Sequence, residues 1–223
     1  LAIGVRPGAS TGAYTALSPR QELRPAPHAL VLPAMRVEQN VNYPNMIGGC
    51  VANSVSAGMY GATIGGGGYP DNVNQVSGYY GTVSGGEGNT TGEYGYVGGG
   101  ANNSATALGS AVGGGSWNRA TGELSSIAGG QGNTSAGSHS FIGGGQGNQA
   151  DGDKATIAGG YFNDSSGIGT AVGGGYSNSA VGDYATVPGG RLNAANGDFS
   201  FAAGRRAKAN HAGSFVLADS TDA

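Results

Sequence analysis

The sequence has little of what most folds and most chemistries depend on. Only 10% of its 223 residues are charged and 8% aromatic, and it holds one cysteine and one tryptophan. The lone Cys50 cannot close an internal disulfide, so no redox compartment follows from it, and it reads as a small buried hydrophobe. His28, His139 and His211 lie far apart, with no His/Cys/Asp spacing suited to a metal ion. No run of about 18 apolar residues is present to span a membrane, and no charged start followed by an apolar stretch marks a signal peptide. Large aliphatic residues are too sparse to offset the chain entropy of a conventional core. Disordered chains share that poverty but carry high net charge, whereas here the formal net charge is −3.

Glycine is abundant instead, at 48 residues. The glycines follow neither the Gly-X-Y period of collagen nor the irregular pattern of a Gly/Ser linker. They recur with aliphatic anchors at Val97, Val112, Ile127, Ile142, Ile157, Val172 and Val187, each 15 residues after the last. A fixed period of this kind decides the architecture.

With each anchor as position 0, +2 and +3 are glycine in all seven coils, and +2 supplies the turn glycines Gly99, Gly114, Gly129, Gly144, Gly159, Gly174 and Gly189. Position +6 is always asparagine: Asn103, Asn118, Asn133, Asn148, Asn163, Asn178 and Asn193. Position +8 is Ala or Ser, +13 is Ser, Ala or Thr, and +10 is glycine except at Ala107. Side chains alternate across a strand, so +6 with +8, and +13 with the next anchor, mark two short strands per coil with one face inward. The glycines between them are expected to bend the chain or take positive φ. The fold class is therefore all-β: a parallel β-solenoid or β-roll of about 15-residue coils, in which identical residues stack. The asparagines are expected to form a structural amide ladder along the axis, each carboxamide donating to the next.

Four segments follow: a Pro-rich strand, arm and linker over 1–40, irregular first coils over 41–96, regular coils over 97–201 and a C-terminal cap over 202–223. In the irregular coils Asn53 and Asn89 keep the +6 place, and insertions at Tyr69-Pro70-Asp71 and Tyr79-Tyr80 are expected to bulge outward. In the cap, Arg205, Arg206 and Lys208 stand where glycine, a surface residue and asparagine stood before. They read as a cap or an inter-subunit salt-bridge site rather than an anion receptor.

A coil filled by one aliphatic, one asparagine and two small residues is a thin core, so packing against further copies is expected, as a homotrimer, with a head-to-tail filament or a monomeric solenoid as the alternatives. The runs VGGGSWNRATGELSSIAGGQGNTSAGSHSFIGGG and IAGGYFNDSSGIGTAVGGGYSNSAVGDYATVPGG resemble head repeats of trimeric autotransporter adhesins, with similar repeats in phage-tail-fibre-like proteins. The run GDFSFAAGRRAKANHAGSFVLADS resembles the segment that closes such repeats. The resemblance covers about residues 47–219 and implies a left-handed, intertwined trimer at an extracellular or cell-surface location. The 15-residue period is longer than the family's usual one. Residues 1–40 resemble the tail of a small β domain, and the strand at Leu1 to Arg6 is expected to pair with a neighbouring subunit by strand addition.

No enzymatic chemistry is expected. No Gly-x-Ser-x-Gly elbow is followed by a helix, and the glycine pairs recur as turns rather than phosphate loops. No metal or cofactor is expected, and the acids Glu123, Asp153, Asp183 and Asp198 at +11 read as a solvated acidic face rather than a calcium site. A regular Thr array for ice binding is absent from +14, and the acidic balance speaks against nucleic acid. Tyr161, Tyr176 and Arg191 share one column on adjacent coils, predicting an aromatic and cation–π ladder that is the candidate surface contact. Trp117, Phe162 and Tyr184 are expected to be exposed. The expected function is an extracellular structural fibre; the alternative is a receptor- or glycan-binding adhesin or phage tail-fibre head.

Overall fold

The computed structural model describes residues 4–5, 15–16, 35–38 and 42–219. The chain divides into two units, Leu1–Leu32 and Pro33–Ala223. In the first, Gly4–Val5 pairs antiparallel with Thr15–Ala16. The strand expected to need a neighbouring subunit thus has its partner within the chain; the rest of Leu1 to Arg6 lies outside the described residues.

The second unit is a β-solenoid of about 12 turns. Each regular coil contributes two strands of two residues, such as Tyr96–Val97 and Ser104–Ala105. The anchor strands form one sheet of 14 strands and the asparagine-side strands another of 11. Within both, like residues sit side by side: Val97 on Val112, Ala105 on Ala120. The coil itself is the crossover that a parallel pair requires. A third ladder, unanticipated from the pattern of the sequence, runs through +4 as single-residue bridges from Glu87 to Arg191.

The core is the expected set. Anchors, asparagines and the +8 and +13 small residues are all fully or almost fully buried. At +8 and +13 the hydroxyls pair where both positions carry one: Ser135 with Ser140 at 2.6 Å and Ser165 with Thr170 at 2.7 Å. The hydroxyls of Ser125 and Ser200 face Ala120 and Ala195 in their own coils and have no partner.

The glycine pair divides its work differently from the expectation. The +3 glycines, Gly100 to Gly190, all have φ between 86° and 97°. An added Cβ there would lie 2.0 to 2.4 Å from a carbonyl oxygen of the next coil. At +2, φ is 131° to 154° at Gly99, Gly144, Gly174 and Gly189 but not positive at Gly114, Gly129 and Gly159, where a Cβ would meet nothing nearer than 3.9 Å. The second glycine is therefore demanded by both φ and packing in every coil, the first by φ in only four of the seven. At +10 the cause is packing and not φ: a Cβ on Gly137 would sit 1.9 Å from the Gly152 oxygen.

The irregular coils join the same stack. The insertion at Tyr69-Pro70-Asp71 does bulge, as a tight loop closed by Tyr69 and Asn72 bonding each other's backbone at 3.2 and 2.8 Å. It displaces the asparagine of that coil to Asn74, which is fully buried in the column between Asn53 and Asn89. At the first coil, Met35–Glu38 lies antiparallel on Asn45–Gly48, and Arg36 donates to the carbonyls of Val51 and Asn53. Cys50 is half-buried in the first turn, not a core residue.

The last coil is one residue short in its glycine turn, and this changes the register read from the sequence. Gly204 pairs with Gly190 and Arg205 with Arg191. Ala207 takes the asparagine place and donates its N–H to Asn193 Oδ1 at 2.9 Å. Lys208 pairs with Ala194, one position outside that column. Arg205 therefore stands in the +4 column, not in the glycine one.

Candidate functional site

Each coil turns twice, once at +4/+5 between the anchor and asparagine strands, and once at +11/+12 before the next anchor. At both corners the second residue takes the left-handed conformation even when it is large: Trp117, Phe162 and Leu192 at +5, Leu124, His139, Lys154, Tyr184 and Phe199 at +12. This costs roughly 1 kcal/mol for a residue with a Cβ. The return is a hydrogen bond to the preceding coil, as from Phe162 N–H to the Gln146 carbonyl at 3.0 Å, or Tyr184 N–H to Ile168 at 2.8 Å. The neighbouring Tyr161 N–H points the other way, to Gly175 at 2.8 Å. The +4/+5 corner is thereby stitched in both directions along the axis.

The same geometry lays side chains in columns. Where a corner holds glycine, the large residue of the next coil lies over it: Tyr80 on Gly61, Leu124 on Gly109, Phe162 on Gly147. Rings stack where two follow each other. Tyr161 and Tyr176 are parallel within 5° at 6.1 Å, and Arg191 Cζ stands 5.2 Å from the Tyr176 ring centre. Phe162 meets Tyr161 edge-on at 4.8 Å and 89°. Trp117, Phe162 and Tyr184 are more than half exposed. Tyr184 and Phe199 stack at 5.3 Å on the other corner.

A larger aromatic group sits on the first coils: Tyr43, Tyr60, Tyr79, Tyr80 and Tyr94, with ring centres 4.6 to 5.9 Å apart. Each stands four or three residues before an anchor, Ile47, Ile64, Val83 or Val97, so all lie on the corner that +11 and +12 form in the regular coils, and Tyr79-Tyr80 is that corner rather than a bulging insertion. Desolvation first, then the neighbouring phenols of Tyr60, Tyr43 and Tyr94, raise the pKa of the Tyr80 phenol.

Of the acids at +11, Glu123, Asp153 and Asp198 are exposed and Asp183 half-buried, and three of them also hold the chain. Asp153, Asp183 and Asp198 each accept the backbone N–H one coil back, from Ser138, Ile168 and Asp183 at 2.9 to 3.0 Å. On the outer face of the asparagine sheet, half-buried Asp164 accepts from Ser179 Oγ at 3.3 Å. Burial, with Asp151 nearby, raises its carboxyl above the usual range. His139 Nδ1 lies 2.8 Å from Ser138 Oγ, while Asp153 bonds the Ser138 backbone and not the ring, so no catalytic relay is formed. Among the described residues no three His, Cys, Asp or Glu side chains gather to hold a metal. No helix among them is long and apolar enough to cross a membrane.

The asparagine column is a structural site. Asn133 Oδ1 accepts the Asn148 backbone N–H at 2.9 Å, and its Nδ2 donates to the Gly129 and Gly145 carbonyls at 3.1 and 3.0 Å. The expected amide-to-amide bond is also present, from Asn148 Nδ2 back to Asn133 Oδ1 at 3.2 Å. One carboxamide thus satisfies backbone groups in two coils and both turns beside it. No protein-family model matches the chain, and no curated protein matches it.

Proposed function

We propose that this chain is a self-associating structural rod, a segment of an extracellular fibre or surface appendage in which three copies pack through the outer face of the anchor sheet. The observation that carries the reading is the composition of that face. Its two outward columns run from Met46 and Gly48 to Phe215 and Leu217, and neither contains a charged residue over the length of the solenoid. One column is mostly glycine and alanine (Gly98, Gly113, Ala128, Gly143, Ala158, Gly173), and beside it the other raises the exposed side chains of Met46, Tyr96, Phe141 and Phe215. The outer face of the asparagine sheet instead carries Arg119, Asp151, Asp164 and Lys208. An uncharged face with exposed apolar side chains, on a chain with a thin core, favours burial against copies of itself. The resemblance of the repeats to trimeric autotransporter heads supports the number three and the extracellular setting.

Sedimentation equilibrium tests this reading. A mass of about 65 kDa, three times the 21.7 kDa of one chain, is expected. Ala128→Glu with Ala158→Glu should give a folded monomer, whereas Ala136→Glu on the opposite sheet should leave the trimer intact. An unmodified chain that stays monomeric at every concentration overturns it.

A further inference from the structure

Trp117 is the one tryptophan of the chain, and it stands 61% exposed as the second residue of a +4/+5 corner. A ring at φ 59° there costs conformational strain and leaves apolar area in water, although asparagine and serine fill the same place at Asn102 and Ser177. The next two coils hold glycine at +5, and the two glycines differ. A Cβ on Gly147 would strike the Phe162 ring at 2.5 Å, whereas one on Gly132 would meet nothing within 4 Å. Gly132 is therefore the open floor of a notch, ended on one side by Trp117 and on the other by Phe162, which is 52% exposed. The two rings belong to coils three apart, ~14 Å along the axis by the inter-strand spacing.

Beside this floor, Gln131 and Gln146 are register neighbours in the +4 ladder, with Tyr161 next in the column. Among the described residues neither glutamine carboxamide is hydrogen-bonded, to the other or to anything else. The backbone, in contrast, is fully engaged: Gln131 N–H donates to the Gly145 carbonyl and Gly132 N–H to that of Ser116, both at 2.9 Å. No residue at +4 or +5 from Ala101 to Ser177 is charged. The notch thus presents apolar rings and two free carboxamides, each able to donate and accept, on a corner whose backbone the neighbouring coils hold in place. An extended peptide finds no unpaired backbone to join, an anionic ligand finds no cation, and a wholly apolar one leaves the carboxamides unpaired. A neutral sugar answers both demands, since its hydroxyls donate and accept and one face of a pyranose is apolar.

We propose that this corner binds a neutral oligosaccharide laid along the axis, whose pyranose rings pack on Trp117 and Phe162 while its hydroxyls bond the carboxamides of Gln131 and Gln146. Tyr161, backed by the parallel ring of Tyr176, lengthens the shelf by one coil. None of these residues belongs to the two columns proposed to pack against other copies, so failure of the site and failure of the assembly are separate results.

As the sole tryptophan, Trp117 reports on the site directly. Titrating the whole chain with cellohexaose and with chitohexaose should, for at least one of the two, shift the indole emission to the blue and shield it from acrylamide, to an extent that salt does not change. Oligogalacturonate should do neither. Calorimetry on the same samples gives the affinity and extends the test to variants. Trp117→Asn copies Asn102, and Gln131→Ala with Gln146→Ala copies Ala101, so both keep residues that the corner already accommodates. Each should weaken binding at least tenfold while melting as the parent does. Tyr184→Asn with Phe199→Asn removes the exposed ring pair of the other corner and should leave binding unchanged. Failure of both neutral hexaoses to bind at millimolar concentration, binding that survives either notch variant, or binding lost with the rings of the other corner overturns the proposal. Mass measured in the same samples separates loss of binding from loss of assembly.

Discussion

Asn148 donates its backbone N–H to Asn133 Oδ1 at 2.9 Å, and this contact recurs in every regular coil. Because the Asn133 amide also holds the Gly129 carbonyl, removing it strands two backbone groups, the Asn148 N–H and the Gly129 oxygen, while the Gly145 carbonyl keeps the Gln131 N–H at 2.9 Å. Each buried group left unpaired costs about 1–3 kcal/mol. Asn133→Leu should therefore destabilise the chain by about 2 kcal/mol at the least, and hydrogen exchange at the Asn148 amide should accelerate. Asn133→Asp keeps the acceptor but turns an oxygen toward two carbonyls, and should be no better tolerated.

The unequal glycines give a paired test. Gly130 has φ 95° and a Cβ there would lie 2.1 Å from the Gly145 oxygen, whereas a Cβ on Gly129 meets nothing closer than 3.9 Å. Gly130→Ala should abolish the cooperative melt or lower it strongly. Gly129→Ala should be neutral or stabilise by about 0.4–1 kcal/mol through the unfolded chain. Thermal denaturation of the two variants side by side measures this.

The buried hydroxyls rank in a defined order. Ser140 donates to the Gly137 carbonyl at 2.7 Å and accepts from Ser135, so Ser140→Ala leaves the Ser135 hydroxyl unpaired, the Gly137 carbonyl keeping the Ser140 N–H at 3.2 Å, and Ser135→Ala leaves no group unpaired. Losses of about 2 and about 1 kcal/mol are expected in urea titrations. Ser125→Ala and Ser200→Ala remove unpartnered hydroxyls and should be neutral or stabilising.

Asp164 carries a pH signature. Its folded-state pKa is raised above the ordinary 3.8, chiefly by burial, so the native chain holds the proton more tightly than the unfolded one. Its contribution is favourable below about 3.8 and is lost as pH rises through the folded value. Asp164→Asn should melt higher than the parent at pH 7, with the difference vanishing below pH 3.8.

The features legible beforehand were those in which one residue type answers one physical demand in every coil. Buried anchors must be aliphatic, the Asn133 class must donate and accept at once, and the +8 and +13 places have room only for small side chains. Corner conformation was hidden because the left-handed backbone at Trp117, Tyr184 and Phe199 is stabilised by inter-coil bonds and not by residue type. That the +3 glycine is demanded in every coil depends on the next coil's carbonyl, which no single coil shows. Asn74 was missed and Arg205 misplaced for one reason: an insertion and a one-residue deletion shift the count while the ladder holds its register. The acids at +11 looked free because their acceptor role is toward a backbone 15 residues back.

Everything rests on residues 15 apart being neighbours along one axis. Double electron–electron resonance measures this directly, with nitroxides on Thr106→Cys and Val181→Cys in a Cys50→Ser background, diluted into unlabelled chain. These exposed sites lie 75 positions apart in the chain and five coils apart in the stack, so a narrow distribution near ~24 Å is expected from the inter-strand spacing. A broad distribution, or a mean well beyond that distance, contradicts the stacked coil.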